Sequence, residues 1–107
     1  MTIKINNVEF EFDIYDIDQS EAFEKAIDQL SAAEEIIKTA QATQKVSAIN
    51  RAVIDMFRKF FTDAVGVDVL ATCKNSSAAS DAYFLFLDQV GKMKGQLFQK
   101  YDAKRVR

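Results

Sequence analysis

The sequence predicts a mainly helical α+β chain, with a small N-terminal β-hairpin, three main helices and one short helical turn. Three observations carry that expectation. Residues 1–14 alternate apolar and polar side chains around Asn6-Asn7, three later stretches place apolar residues at helical spacing, and no proline interrupts them. With 107 residues and 49% hydrophobic content, the chain is long enough for a single domain, residues 1–107. Area scaling leaves roughly 6,000 Å² of its surface exposed out of about 17,500 Å² unfolded.

In the hairpin, residues 1–14, Asn6-Asn7 serves as a two-residue turn because Asn tolerates positive φ. That placement pairs Ile5 with Val8, Lys4 with Glu9, Ile3 with Phe10 and Met1 with Phe12. The apolar partners then share one face, and Lys4 and Glu9 oppose each other on the other. A lone hairpin is marginal in water, so it must lie on the helices or pair with a neighbour's strand.

Asp18, followed three residues later by Glu21, reads as a capping-box start for a helix over 19–41. Its apolar positions Phe23, Ala26, Leu30, Ala33, Ile37 and Ala40 form a narrow seam in which small residues allow close helix approach. The pattern restarts out of phase at Val46, which places a break within 41–47, although one bent helix also fits. The second helix, 47–65, carries Ile49, Val53, Phe57, Phe60 and Ala64 with Ile54, Met56 and Phe61 beside them, a wide apolar arc that belongs at the centre. Gly66 stops it. Asp68 caps a short turn over 69–73, and the polar run 74–77 leads into a last helix, 78–100, followed by a basic tail, 101–107. At 100° per residue, Ala79, Tyr83, Phe86, Val90, Met93 and Leu97 share one side of that helix. Phe84, Leu87, Gly91 and Phe98 form an adjoining stripe, which is either core under the hairpin or a surface for another chain.

Composition narrows the chemistry. The chain has no His, no Pro, no Trp, one Cys and three Gly, so imidazole catalysis, an intrachain disulfide and a phosphate-cradling glycine loop are all excluded. Cys73 reads as a small hydrophobe in a reducing compartment. No cofactor or metal is expected. No apolar run approaches the roughly 20 residues of a membrane span, and no basic-then-apolar leader opens the chain, so the expected location is the cytoplasm without a membrane partner.

The net charge of −2 conceals a division: residues 1–37 hold ten acids against Lys4 and Lys25, and residues 38–107 hold twelve bases against six acids. Such ends either attract within one molecule or are solvated, or else an acidic front meets the basic back of the next subunit in a ring or spiral. For that self-association the acidic candidates are Glu21, Glu24, Asp28, Glu34 and Glu35.

The order of features resembles the tail assembly chaperones, short tail-operon proteins from phages of Gram-positive bacteria. The resemblance spans most of the chain and rests on residues 14–30 (IYDIDQSEAFEKAIDQL), 52–66 (AVIDMFRKFFTDAVG) and 74–90 (KNSSAASDAYFLFLDQV). Within them, Tyr15-Asp16, Phe23-Glu24-Lys25-Ala26, Phe60-Phe61, Gly66 and Lys74-Asn75 fill the family's places. The departure is at 67–73, where similar sequences carry extra glycines before the lysine. The resemblance implies a non-enzymatic homo-oligomer that binds the tape measure protein, and in reach of the tail tube protein, keeping the former soluble until the tube polymerises. Phe84, Leu87 and Phe98 are the candidate groove for a partner helix, and Lys100, Lys104, Arg105 and Arg107 are available to its acidic residues.

Two other classes compete. Glu21, Glu24 and Asp28 at i, i+3, i+7 spacing suit magnesium in a helical nucleotide hydrolase, but no second carboxylate pair faces them. The basic C-terminus suits a small nucleic-acid-binding regulator. Against that stand a pI near 5.1 and aromatics at core spacing, and nucleic acid is not an expected partner.

Overall fold

A computed structural model describes the backbone of residues 1–105 and the side chains of residues 1–96. Strands β1 (Thr2–Ile5) and β2 (Val8–Glu11) form an antiparallel hairpin, followed by helices α1 (Ile17–Ala40), α2 (Val46–Val65) and α3 (Ser76–Arg105). The register is Ile5 with Val8, Lys4 with Glu9, Ile3 with Phe10 and Thr2 with Glu11. The ladder extends to Met1, whose carbonyl accepts from the Phe12 N–H at 3.1 Å. Asn6 and Asn7 take φ of 52° and 64°, the left-handed pair that a two-residue turn between twisted strands requires.

The start of α1 differs from the expected one. Asp16, not Asp18, is the N-cap, and its carboxylate accepts from the Gln19 N–H at 3.1 Å. The reason lies in the turn before it. The Asp13 carboxylate accepts from the Tyr15 N–H at 2.9 Å, and the Gln19 side chain reaches back to the Asp13 N–H at 2.8 Å. Asp16 thus caps the helix two residues ahead of Asp18, without a reciprocal capping box, since the Gln19 amide oxygen serves the Asp13 N–H and the Asp16 N–H donates to the Asp13 carbonyl at 3.2 Å. Between α1 and α2 the break is real, because after Ala40 the chain turns on bonds from the Thr43 and Gln44 N–H groups to the Ala40 carbonyl, both 3.1 Å. Gly66, at φ 75°, ends α2 by donating to the Thr62 carbonyl at 3.0 Å.

The short helical turn is a single hydrogen-bonded turn, with the Cys73 N–H donating to the Leu70 carbonyl at 3.0 Å. Its value is in packing, since Val69 and Leu70 are buried. Helix α3 starts two residues earlier than expected, because the Asn75 side chain caps it by accepting from the Ala78 N–H at 3.0 Å. It also runs on to Arg105, so the stretch read as a basic tail is helical through that residue. Nothing after Val90 except Gly91 and Gly95 opposes the helix, and a Cβ on either glycine would meet no atom within 4 Å. Among the described residues, no close helix approach uses Gly91 or Gly95.

The core joins every element. Ile3, Ile5, Phe10 and Phe12 of the hairpin are buried with Ala26 and Leu30 of α1, and with Phe57, Phe60, Phe61 and Ala64 of α2. From α3 come Ala79, Ala82, Tyr83, Phe86, Val90 and Met93. The hairpin thus packs on its own subunit, and the wide arc of α2 is ordinary core beneath it. Phe86 has no exposed surface, and its ring lies 5.5–6.0 Å from those of Phe10, Phe12, Phe23, Phe60 and Phe61. The chain is nevertheless elongated, 60 × 28 × 20 Å with a radius of gyration of 16.0 Å, against about 13 Å for a compact chain of this length. Its surface of 7406 Å² likewise exceeds the roughly 6,000 Å² that scaling gives.

Truncating the central ring should be costly. Phe86→Ala is expected to lower unfolding free energy by about 3–5 kcal/mol in urea titrations, whereas Phe84→Ala on the same helix, 61% exposed, should change it by about 0.5 kcal/mol or less.

Candidate functional site

Three exposed features distinguish the surface: an apolar flank on α3, a carboxylate face on α1, and a polar cleft beside the turn that follows α2. The flank arises because α3 has more apolar residues than its buried side can use. Phe84 is 61% and Leu85 47% exposed, on the side of the helix opposite Phe86 and Val90, with the Asp88–Lys92 ion pair (3.3 Å) one turn on. Phe84 retains one ring neighbour, Tyr83 at 5.5 Å.

Of the expected groove of Phe84, Leu87 and Phe98, two side chains are described. Leu87 is half-buried against the core, because it stands only 40° around the helix from Tyr83. Leu85, exposed beside Phe84, is the residue that periodicity missed. The side chains of Phe98, Lys100, Lys104 and Arg105 lie outside the described residues, as does Arg107 altogether. Other exposed apolar residues are Ile36 and Val46, on either side of the loop joining α1 to α2, and Ile17 at the start of α1. Ile36 is off the seam that points α1 at the core, so a search for the core passes over it.

The acidic candidates divide. Glu34 and Glu35 both reach Lys38, at 3.4 and 3.7 Å, an i,i+4 and i,i+3 arrangement that offsets their charge locally. Glu21, Glu24 and Asp28 are exposed, and among the described residues they make no ion pair. They do not converge either. Among the described residues no three acidic or Cys side chains come together closely enough to hold a metal ion, so the hydrolase reading finds no metal centre in that trio. On the basic side, Arg58, Lys59 and Lys92 are each paired with an acid. The positive surplus of the sequence therefore lies mainly after Lys92, where Lys94, Lys100, Lys104, Arg105 and Arg107 are set against one acid, Asp102.

The cleft has a volume of about 440 Å³ and is lined by Arg51, Ile54, Asp55, Arg58, Cys73 and Lys74. The Cys73 thiol is half-buried and donates to the Asn75 carbonyl at 3.3 Å. Arg58 grips Asp68 with two bonds, Nε to Oδ1 at 3.3 Å and an η nitrogen to Oδ2 at 2.6 Å. That fork holds the Asp68 carboxyl below its ordinary value, with the Leu70 N–H adding to the effect, and raises Arg58 in turn. Asp68 so ties the start of the turn to α2, a fastening role that leaves the guanidinium engaged. In the hairpin, Glu11 is lowered chiefly by the Thr2 hydroxyl, which donates to it, and also by the N-terminal ammonium at 3.4 Å. Burial raises Tyr83, with the nearby Glu34 charge adding to it.

Among the described residues, no helix is long and apolar enough to cross a membrane. Residues 6–107 match a family whose description is a family of unknown function (DUF6673). No curated protein and no solved structure matches the chain.

Because Asp68 titrates lower in the folded chain than in the unfolded one, its bridge is fully present above the ordinary value of 3.8. The contribution is lost as pH falls through the depressed folded value. Asp68→Asn should therefore lower the urea midpoint near neutrality and flatten its fall below about pH 4, measured as midpoint against pH beside the native chain.

Proposed function

We propose that this chain, which belongs to the DUF6673 family, is a phage tail assembly chaperone that self-associates and holds the tape measure protein soluble before the tail tube polymerises. The observation that carries the reading is the exposed Phe84–Leu85 flank on α3. A tape measure protein is a long helix with apolar stripes, and its solubility requires a protein that covers those stripes without needing a catalytic centre. An aromatic and an aliphatic residue, standing out from a helix whose other side is locked into the core, suit that contact. The surplus of bases after Lys92 adds a salt-sensitive attraction to acidic partners, which favours release when tube subunits compete.

The resemblance supports the same reading by way of the fold. Phe60-Phe61 lies in the core, Gly66 ends α2 and Asn75 caps α3, so the resembling positions are those that set the architecture. The excess of surface over that of a compact chain accords with a subunit that is covered on assembly, and the bacterial cytoplasm is the place where such assembly occurs.

Co-expression with the tape measure protein tests the reading. The native chain should keep it in the soluble fraction as a complex. Phe84→Asp with Leu85→Asp should abolish the complex while leaving the helical circular dichroism and the thermal midpoint within a few degrees of the native chain's. Retained solubility with the double variant would remove the flank from the function.

A further inference from the structure

The hairpin is a sheet of only two strands, so each strand leaves one edge open. In an antiparallel ladder, alternate residue pairs exchange both backbone bonds and those between turn their N–H and C=O groups outward. Met1 and Phe12 exchange bonds at 3.1 and 3.4 Å. Ile3–Phe10 and Ile5–Val8 follow in the same phase, so Thr2 and Lys4 of β1, and Glu9 and Glu11 of β2, face outward. All four are exposed, and among the described residues their outward backbone groups have no protein partner. Such edges are templates for another strand unless charge or shape blunts them.

The two edges carry opposite charge. Lys4 stands on β1 and Glu9 on β2, whereas the N-terminal ammonium and Glu11 offset each other at 3.4 Å. Lys4 and Glu9 are directly opposite in the register, yet among the described residues neither makes an ion pair, so both charges are available to another chain. A lysine on an edge repels a copy of the same edge and attracts an acidic one. The inward residues Ile3, Ile5, Phe10 and Phe12 are buried in the core, which pins the hairpin and leaves the edges as its one means of extension.

We propose that the chain self-associates head to tail by edge pairing, β2 of one copy adding antiparallel to β1 of a second copy. Lys4 of the second copy then lies beside Glu9 of the first, and the order β1-β2-β1-β2 repeats the pairing already present within the hairpin. The contact is heterologous, so it propagates into a ring or spiral instead of closing as a symmetric dimer. With four residues in each strand it is short, and with its charges at the surface it weakens in salt. The proposal rests on the self-association half of the proposed function and is independent of the tape measure half.

Edge-blocking variants test it. Pro in place of an outward-facing residue removes a donor from the edge and none from the internal ladder. Lys4→Pro should close the β1 edge and Glu9→Pro the β2 edge. By light scattering, each variant alone should be monomeric under conditions where the native chain associates. An equimolar mixture should stop at a heterodimer of about twice the 12.1 kDa chain mass, since one open edge of each kind remains. Circular dichroism checks that both variants fold. Should either fail, Lys4→Glu keeps the ladder, and is expected to weaken association at least tenfold, with recovery on mixing with Glu9→Lys. Variants that associate like the native chain would overturn edge pairing and leave self-association standing. A mixture that stays monomeric would overturn it as well, and a native chain that is monomeric at every concentration would overturn both.

Discussion

The packing of five aromatic rings around Phe86 is the constraint on which the rest of this structure depends. Phe10 and Phe12 come from the hairpin, Phe23 from α1, and Phe60 and Phe61 from α2, so one ring of α3 meets rings from the hairpin and from both other helices. Each edge-to-face or tilted ring pair is worth about 0.5–1.5 kcal/mol beyond the burial of area. The geometric consequence matters more than the sum. A two-stranded hairpin and three helices without a disulfide are held in one arrangement because their rings share a centre.

That centre also decides what stays outside. Phe86 fixes the rotation of α3, and Tyr83, Val90 and Met93 go inward with it. Phe84 and Leu85 are then carried to the solvent by helix geometry alone. In the hairpin, Phe10 and Phe12 take the inner face, and a period of two leaves Lys4, Glu9 and Glu11 outside. The exposed features are therefore held on a rigid scaffold, as a repeated contact between copies or with a partner helix requires.

Much of the fold was legible because its signals are local. Asn6-Asn7 between alternating residues specifies the register of the hairpin, and Gly66 specifies the end of α2. The start of α1 was misplaced because two acidic capping patterns overlap, and the Asp13 turn, which depends on the hairpin ahead of it, selects Asp16. The length of α3 was cut short because the basic stretch 101–107 read as a tail, although the helix runs on to Arg105. The surface was the less legible part. Periodicity finds the buried side, so Phe84 was placed among the candidates while Leu85 and Ile36 were passed over, and Val46, read as the first apolar position of the second helix's stripe, is exposed. Whether Glu34 and Glu35 are available was also beyond a count of charges, since Lys38 lies within 4 Å of both.

The core presents charged and apolar surfaces, and the proposal is that other copies and a partner cover them. The most direct measurement is the solution mass of the native chain by sedimentation velocity across ionic strength and concentration. The account predicts species larger than the 12.1 kDa monomer that grow with concentration at low salt and shrink as salt rises. A single monomeric species throughout would contradict it.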